Sequence, residues 1–191
     1  MSSKGSNPSK LPANLFQNMV SAAMLDNTVF LSFRNRSETV IHSLATVSIA
    51  GIALAVTLTY TVSYATTTIQ NIQMVMVAFS TVMVGWMMWS FVAKVICNIC
   101  GSTIKFRDMM RVTGIAYGPG TFVLFATIPA LDQFILFFVW IWVLVAVTQS
   151  IKAANNIGFL KAVLPGILGW FMSWVILPFL MLGSFFLPAA N

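Results

Sequence analysis

The sequence predicts an all-helical integral membrane protein with five transmembrane helices, and three observations carry this prediction. Of the 191 residues, 59% are hydrophobic and 7% are charged, whereas soluble domains carry about 25% charged residues. The apolar residues form separate blocks of roughly 20 residues, the length that a helix needs to cross a bilayer. With five such blocks as spans, the ten Lys and Arg residues all fall on one side of the membrane, whereas four or six spans would scatter them over both sides.

The chain divides into a polar N-terminal region and an apolar remainder. We expect residues 1–39 to form a cytoplasmic tail with a short helix on the membrane surface, because apolar residues recur there at helical spacing among Asn and Gln. The alternative is an irregular segment that packs under the bundle. Residues 40–191 are expected to form the transmembrane domain. The predicted spans cover residues 40–60, 73–93, 112–130, 133–151 and 162–184.

The positions of the basic residues predict the orientation. With five spans, Lys4, Lys10 and all other Lys and Arg fall on one side, and the connections on the opposite side have none. The positive-inside rule then places the N-terminus in the cytoplasm and the C-terminus outside, in a multi-pass protein of the cytoplasmic membrane. The predicted cytoplasmic basic surface consists of Arg34, Arg36, Lys94, Lys105, Arg107, Arg111, Lys152 and Lys161.

Ionisable side chains within the predicted spans are nearly absent. Asp26, Glu38, Asp108 and Asp132 lie at or outside the span boundaries, and His42 lies near the start of the first span. Proton pathways, di-iron sites and haem sites need ionisable or metal-binding side chains inside the membrane. We therefore expect no enzymatic activity, no metal ion, and no cofactor apart from bound lipid. The net charge of +6 does not indicate nucleic-acid binding, because it comes from only ten basic residues.

Cys97 and Cys100 form a C-x-x-C pair just after the second span. This spacing places two sulfurs on one helix face or in one turn, which suits redox exchange or half of a zinc site. A zinc site would need two copies of the chain, because no second pair exists. The simpler interpretation is two small apolar residues at a helix end.

The third and fifth spans contain helix-breaking residues. Gly114 and Gly118 form a small-xxx-small motif that allows close helix approach, and Pro119 followed by Gly120 is expected to break the third helix. Such a break either serves helix packing or exposes backbone groups to a substrate. In the fifth span, Pro165, Gly166, Gly169 and Pro178 predict a second kink. The six Trp residues are expected to pack between helices or against lipid; a pigment or quinone site is the alternative.

A combination of motifs between residues 89 and 174 resembles a known family. Gly101 precedes a short polar linker, and Arg111, Gly114, Tyr117 and Pro119 follow it; Lys161 and Ala162 begin the fifth span after a Trp-rich fourth span. These features resemble the YIP (Ypt/Rab-interacting protein) family of five-span membrane proteins, in its prokaryotic form. The resemblance implies a cytoplasmic N-terminus and a membrane protein of unassigned activity. An acidic-aromatic N-terminal motif like that of the eukaryotic members is missing, so Rab binding is not expected.

Three functional hypotheses remain at this point. The leading one is a non-catalytic scaffold or accessory subunit of a larger membrane assembly, whose partners are lipid and either other subunits or a second copy. The second is a transporter or channel for a small or lipidic solute that uses the broken third helix. The third is a membrane redox protein that uses Cys97 and Cys100.

Overall fold

The computed structural model describes residues 14–62 and 67–176, and every element in these ranges is helical, which confirms the all-helical prediction. The described α-helices are α1 (Leu15–Ala23), α2 (Asn27–Asn35), α3 (Val40–Val62), α4 (Thr68–Ile99), α5 (Phe106–Ile115), α6 (Asp132–Asn155) and α7 (Phe159–Phe171). A short 3-10 turn (Ser37–Thr39) precedes α3, a 3-10 segment (Gly118–Thr127) follows α5, and a π-helical turn (Met172–Ile176) follows α7.

Four helices of the described chain are long and apolar enough to cross a membrane: Val40–Thr61, Thr68–Ile99, Asp132–Asn155 and Phe159–Ile176. They correspond to the first, second, fourth and fifth predicted spans. The prediction of five such helices is wrong, because residues 112–130 do not form one helix. The end of the fifth predicted span, residues 177–184, lies outside the described residues, as do Lys4 and Lys10.

Pro119 explains why the third predicted span is divided. A proline inside an α-helix removes one hydrogen bond, and its ring clashes with the carbonyl four residues earlier. That carbonyl belongs to Ile115, where α5 ends. The chain then tightens: the Tyr117 amide donates to the Gly114 carbonyl (3.2 Å), and the Gly120 amide donates to the Tyr117 carbonyl (2.8 Å). The backbone thus continues as a 3-10 helix instead of an α-helix.

The ends of α4 are set by caps and not by hydropathy, so the helix is longer than the predicted span 73–93. At its start, Thr67 and Gln70 form a capping box. At its end, Gly101 has a φ of 88°. The Gly101 amide donates to the Asn98 carbonyl and the Ser102 amide to the Cys97 carbonyl, each at 2.9 Å. These two bonds are the Schellman arrangement, which favours glycine at the left-handed position.

The N-terminal region forms two helices where the sequence predicted one surface helix. Asp26 caps α2 by accepting a hydrogen bond from the Thr28 amide (2.9 Å). The Trp142 indole of α6 donates to the Ala23 carbonyl (2.9 Å), which fixes the α1–α2 turn against the bundle. Phe30 of α2 is fully buried. The pair is therefore packed into the bundle, as in the alternative interpretation, but it is helical and not irregular.

We call residues 106–127, which comprise α5 and the 3-10 segment, the broken segment. It runs parallel to α3. The Ser43 hydroxyl near the start of α3 donates to the Arg111 carbonyl (2.6 Å), and the Thr57 hydroxyl near the end of α3 donates to the Val123 carbonyl (3.0 Å). The broken segment therefore extends over most of the length of α3.

Of the remaining long helices, α4 and α6 point in the same direction and α7 points the opposite way. The Ser102 hydroxyl, just after α4, donates to Asn155 at the end of α6 (2.6 Å), so these two helices end at the same level. The Ser173 hydroxyl, just after α7, donates to the Gly85 carbonyl (2.7 Å), and Gly169 packs against Trp89. Since residues later in α7 meet residues earlier in α4, these two helices are antiparallel.

Candidate functional site

The glycines of the broken segment are positions where neighbouring elements approach the backbone. A Cβ atom on Gly114 would lie 2.7 Å from the Ser43 Cβ, and one on Gly120 would lie 3.0 Å from the Ala50 Cβ. A Cβ atom on Gly118 would lie 2.8 Å from the Met19 carbonyl oxygen of α1. Pro119 is buried between them. The space at this helix break is therefore filled by the chain itself.

Small residues also allow α7 to approach its neighbours. Gly166 packs against the Thr148 hydroxyl of α6, and Gly169 packs against the Trp89 indole of α4. Pro165 lies inside α7, which nevertheless continues to Phe171. Two of the residues that predicted a kink in the fifth span, Gly166 and Gly169, thus face α6 and α4, respectively.

A polar network joins α4 to α5, and the sequence analysis did not identify it. The Trp86 indole donates to the Met110 carbonyl and to the Thr113 hydroxyl, at 3.2 Å in each case. The Ser90 and Thr113 hydroxyls are 2.7 Å apart and share a hydrogen bond. The available signal was the presence of Ser and Thr in apolar segments, where such side chains commonly bond across helices.

The basic residues of the described chain lie at one end of the bundle, which we call the basic end. Here α3, α5 and α7 begin and α4 and α6 end. The residues concerned are Arg34, Arg36, Lys94, Lys105, Arg107, Arg111, Lys152 and Lys161. Asp132 lies at the opposite end, at the start of α6.

Arg111 is buried, whereas the sequence predicted it to lie on an exposed basic surface. Its residue surface is only 6% exposed. One guanidinium nitrogen, Nη2, pairs with the Asp108 carboxylate one turn earlier in α5. The other two nitrogens, Nε and Nη1, are buried without a partner. Placed on α5, Arg111 thus combines a structural ion pair with unused donors.

Aromatic side chains fill the interior between α4, α6, α7 and the broken segment. The rings of Trp89 and Tyr117 are fully buried and meet edge to face, with centroids 6.0 Å apart. Trp140 and Trp174 are also in contact, with ring centroids 3.7 Å apart. The Trp89 indole and the Tyr117 hydroxyl are buried without a hydrogen-bond partner. In the structure these rings pack against one another between the helices.

The two cysteines lie at the C-terminal end of α4 in different surroundings. Both are free thiols; Cys97 is buried and Cys100 is exposed. Within residues 14–62 and 67–176, no group of three or more His, Cys, Asp or Glu side chains is positioned to hold a metal ion. His42 lies 3.5 Å from the Asn18 amide nitrogen and packs near the Phe33 ring.

An apolar groove of about 450 Å³ lies between α3 and α4, away from the basic end. Ile52, Val56 and Tyr60 of α3 form one wall, and Val75 and Phe79 of α4 form the other. Most of these side chains are exposed on the outer face of the bundle. In a membrane, this face would contact the acyl chains of lipids.

The fold and its residue distribution define a class: a multi-pass helical membrane protein, with its basic side chains gathered at one end of the bundle. Comparison with protein-family models, with curated proteins and with solved structures gave no match.

Proposed function

We propose that the chain crosses the cytoplasmic membrane five times and that the broken segment is the third crossing. The ten residues of α5 extend about 15 Å, and the ten residues of the 3-10 segment extend about 20 Å. Together they exceed the roughly 30 Å of the hydrocarbon layer. The path of the segment beside α3, from Ser43 to Thr57, supports this proposal. The positive-inside rule favours a cytoplasmic basic end and N-terminus, with the C-terminus outside.

Within the membrane, we infer a non-catalytic role as a scaffold or accessory subunit that acts through helix packing. One observation carries this inference: the backbone of the broken segment makes its close contacts and hydrogen bonds with other parts of the same chain. Its three glycines, in chain order, lie in close contact with Ser43, Met19 and Ala50. Its carbonyl groups at Arg111 and Val123 accept hydrogen bonds from α3. A transporter with a broken helix would instead present such backbone groups to its substrate.

Membership of the YIP family stays a prediction, because no family model matches the chain. The proposed five crossings and cytoplasmic N-terminus are the arrangement that the resemblance implies. The redox hypothesis has less support from the geometry, since burial makes the Cys97 thiol inaccessible to a partner.

The decisive experiment is isolation of the tagged protein from its native membranes in a mild detergent. A scaffold or subunit is expected to be recovered with a stoichiometric second chain or as a defined oligomer. Chemical cross-linking of intact membranes before extraction controls for dissociation in detergent. Recovery as a monomer, with no cross-linked species, would contradict the proposal.

A flux measurement separates the scaffold from the transporter. The purified protein is reconstituted into liposomes and compared with empty liposomes and with Pro119→Ala. The scaffold predicts equal leakage of small ions and dyes from all three preparations. Flux that depends on the protein and changes in Pro119→Ala would favour the transporter, because this residue determines the shape of the broken segment.

A further inference from the structure

A small cleft lies at the basic end, where the first turns of α3 and α5 meet α4. Its volume is about 40 Å³, and it is lined by Val40, Ser43, Trp86, Arg107, Met110 and Arg111. Arg107 and Arg111 are four residues apart on α5, so they share one face of the helix. The cleft therefore combines two guanidinium groups with a partly apolar wall.

Some hydrogen-bond donors around the cleft have an acceptor within the protein, and others have none. The Ser43 hydroxyl donates to the Arg111 carbonyl (2.6 Å), and the Trp86 indole donates to the Met110 carbonyl (3.2 Å). By contrast, Nε and Nη1 of Arg111 are buried and have no partner. Burial of charged-group donors without acceptors is unfavourable, because the hydrogen bonds that they make to water are lost and not replaced. These two nitrogens are thus well placed for an acceptor that enters from outside the protein.

The charge at the cleft favours an anion. Arg107 and Arg111 supply two positive charges, and the Asp108 carboxylate beside Arg111 supplies one negative charge. The net charge of these three side chains is therefore positive. A space of this size admits about one water-sized group, such as one oxygen of a larger anion. The rest of the anion would lie at the mouth, where Arg107 is exposed.

We propose that this cleft binds a phosphate group. Guanidinium groups bind phosphate oxygens through charge-assisted hydrogen bonds and are often bidentate. Basic pockets between transmembrane helices at the cytoplasmic surface are suited to anionic lipid head groups. The first turns of α3 and α5 lie at head-group depth if the proposed crossings hold, so a lipid is the favoured source. The phosphate site itself does not depend on the scaffold role.

The test uses the full-length protein in detergent, titrated with three probes while thermal unfolding is followed. The probes are dioctanoyl phosphatidylglycerol, dioctanoylglycerol, which has the same chains without phosphate, and inorganic phosphate. We expect phosphatidylglycerol to raise the unfolding temperature in a saturable way and dioctanoylglycerol not to. Arg107→Gln should weaken the apparent affinity about tenfold, the loss expected for one charge-assisted hydrogen bond.

Lys161→Gln is the matched control, because it removes an equal charge at the basic end but outside the cleft. It should leave the affinity unchanged within about twofold, whereas diffuse attraction would weaken equally in both variants. Saturable binding of inorganic phosphate with the same dependence on Arg107 would support the site and assign it to a soluble anion. No saturable shift with either phosphate probe, or equal losses in the two variants, would overturn the proposal. The proposed crossings are tested separately by labelling, so the two can fail independently.

Discussion

Single glycines in the broken segment decide how closely other elements approach. At Gly118 the nearest atom is a backbone carbonyl oxygen, that of Met19, which cannot rotate away as a side chain can. At Gly166 and Gly169 the neighbours are the side chains of Thr148 and Trp89. Gly118 is therefore the position at which an added methyl group most directly displaces a helix, namely α1.

The first prediction concerns Gly118→Ala. The new Cβ would lie 2.8 Å from the Met19 carbonyl oxygen, so α1 must move. We expect the free energy of unfolding to fall by about 1–3 kcal/mol, measured as a lower unfolding midpoint in detergent. Gly158→Ala is the matched control, because no atom lies within 4 Å of its Cβ position. Gly158→Ala should lower the free energy of unfolding by less than about 1 kcal/mol. Equal losses would show that the approach of α1 is not the cause.

Among the elements, α3 holds the broken segment through side-chain hydroxyls. Thr57 donates both to the Ala53 carbonyl in its own helix (2.9 Å) and to the Val123 carbonyl in the 3-10 segment (3.0 Å). Thr59 donates to the Ala55 carbonyl in its own helix (2.9 Å). This difference offers a matched pair, since a 3-10 segment depends more than an α-helix on external partners for its carbonyls.

The second prediction compares Thr57→Val with Thr59→Val. Valine keeps the shape of threonine but removes the hydroxyl, so Thr57→Val leaves the Val123 carbonyl without its partner from α3. We expect a loss of about 1 kcal/mol for Thr57→Val and less than about 0.5 kcal/mol for Thr59→Val. Reversible unfolding of the reconstituted protein in denaturing detergent measures both. A loss at Thr59 equal to that at Thr57 would argue against the contact between the two elements.

At the scale of the whole molecule, the proposal of five crossings depends on the course of the broken segment. Ser102 and Asn155 bring the ends of α4 and α6 together at the basic end, whereas α6 begins at Asp132 at the other end. The chain between α4 and α6 must therefore travel the length of the bundle. A count of crossings that includes only the four long helices omits this passage.

The third prediction follows from this passage and uses cysteine labelling. In a background of Cys97→Ala and Cys100→Ser, single cysteines are placed at Lys105, Gln133 and Lys161. With a membrane-impermeant maleimide on intact cells, we expect Gln133→Cys to be labelled and the other two to react only after the membrane is opened. Reaction of the positions 105 and 133 from the same side would show that the broken segment does not cross.

The sequence by itself determined that this is a helical membrane protein. Four of the five predicted spans correspond to helices of spanning length, because burial in lipid requires long apolar runs whose backbone groups bond within the segment. It also indicated where the third segment breaks, since the effect of Pro119 is local.

Only the tertiary structure decided how far that break extends, because a 3-10 helix is maintained by neighbours such as Thr57. The same holds for the packing of α1 and α2 into the bundle and for the burial of Arg111. Hydropathy treats each residue according to its type. The nitrogens of Arg111 are buried without partners because Ser43 of α3 and Trp86 of α4, both distant from Arg111 in sequence, pack around the same cleft.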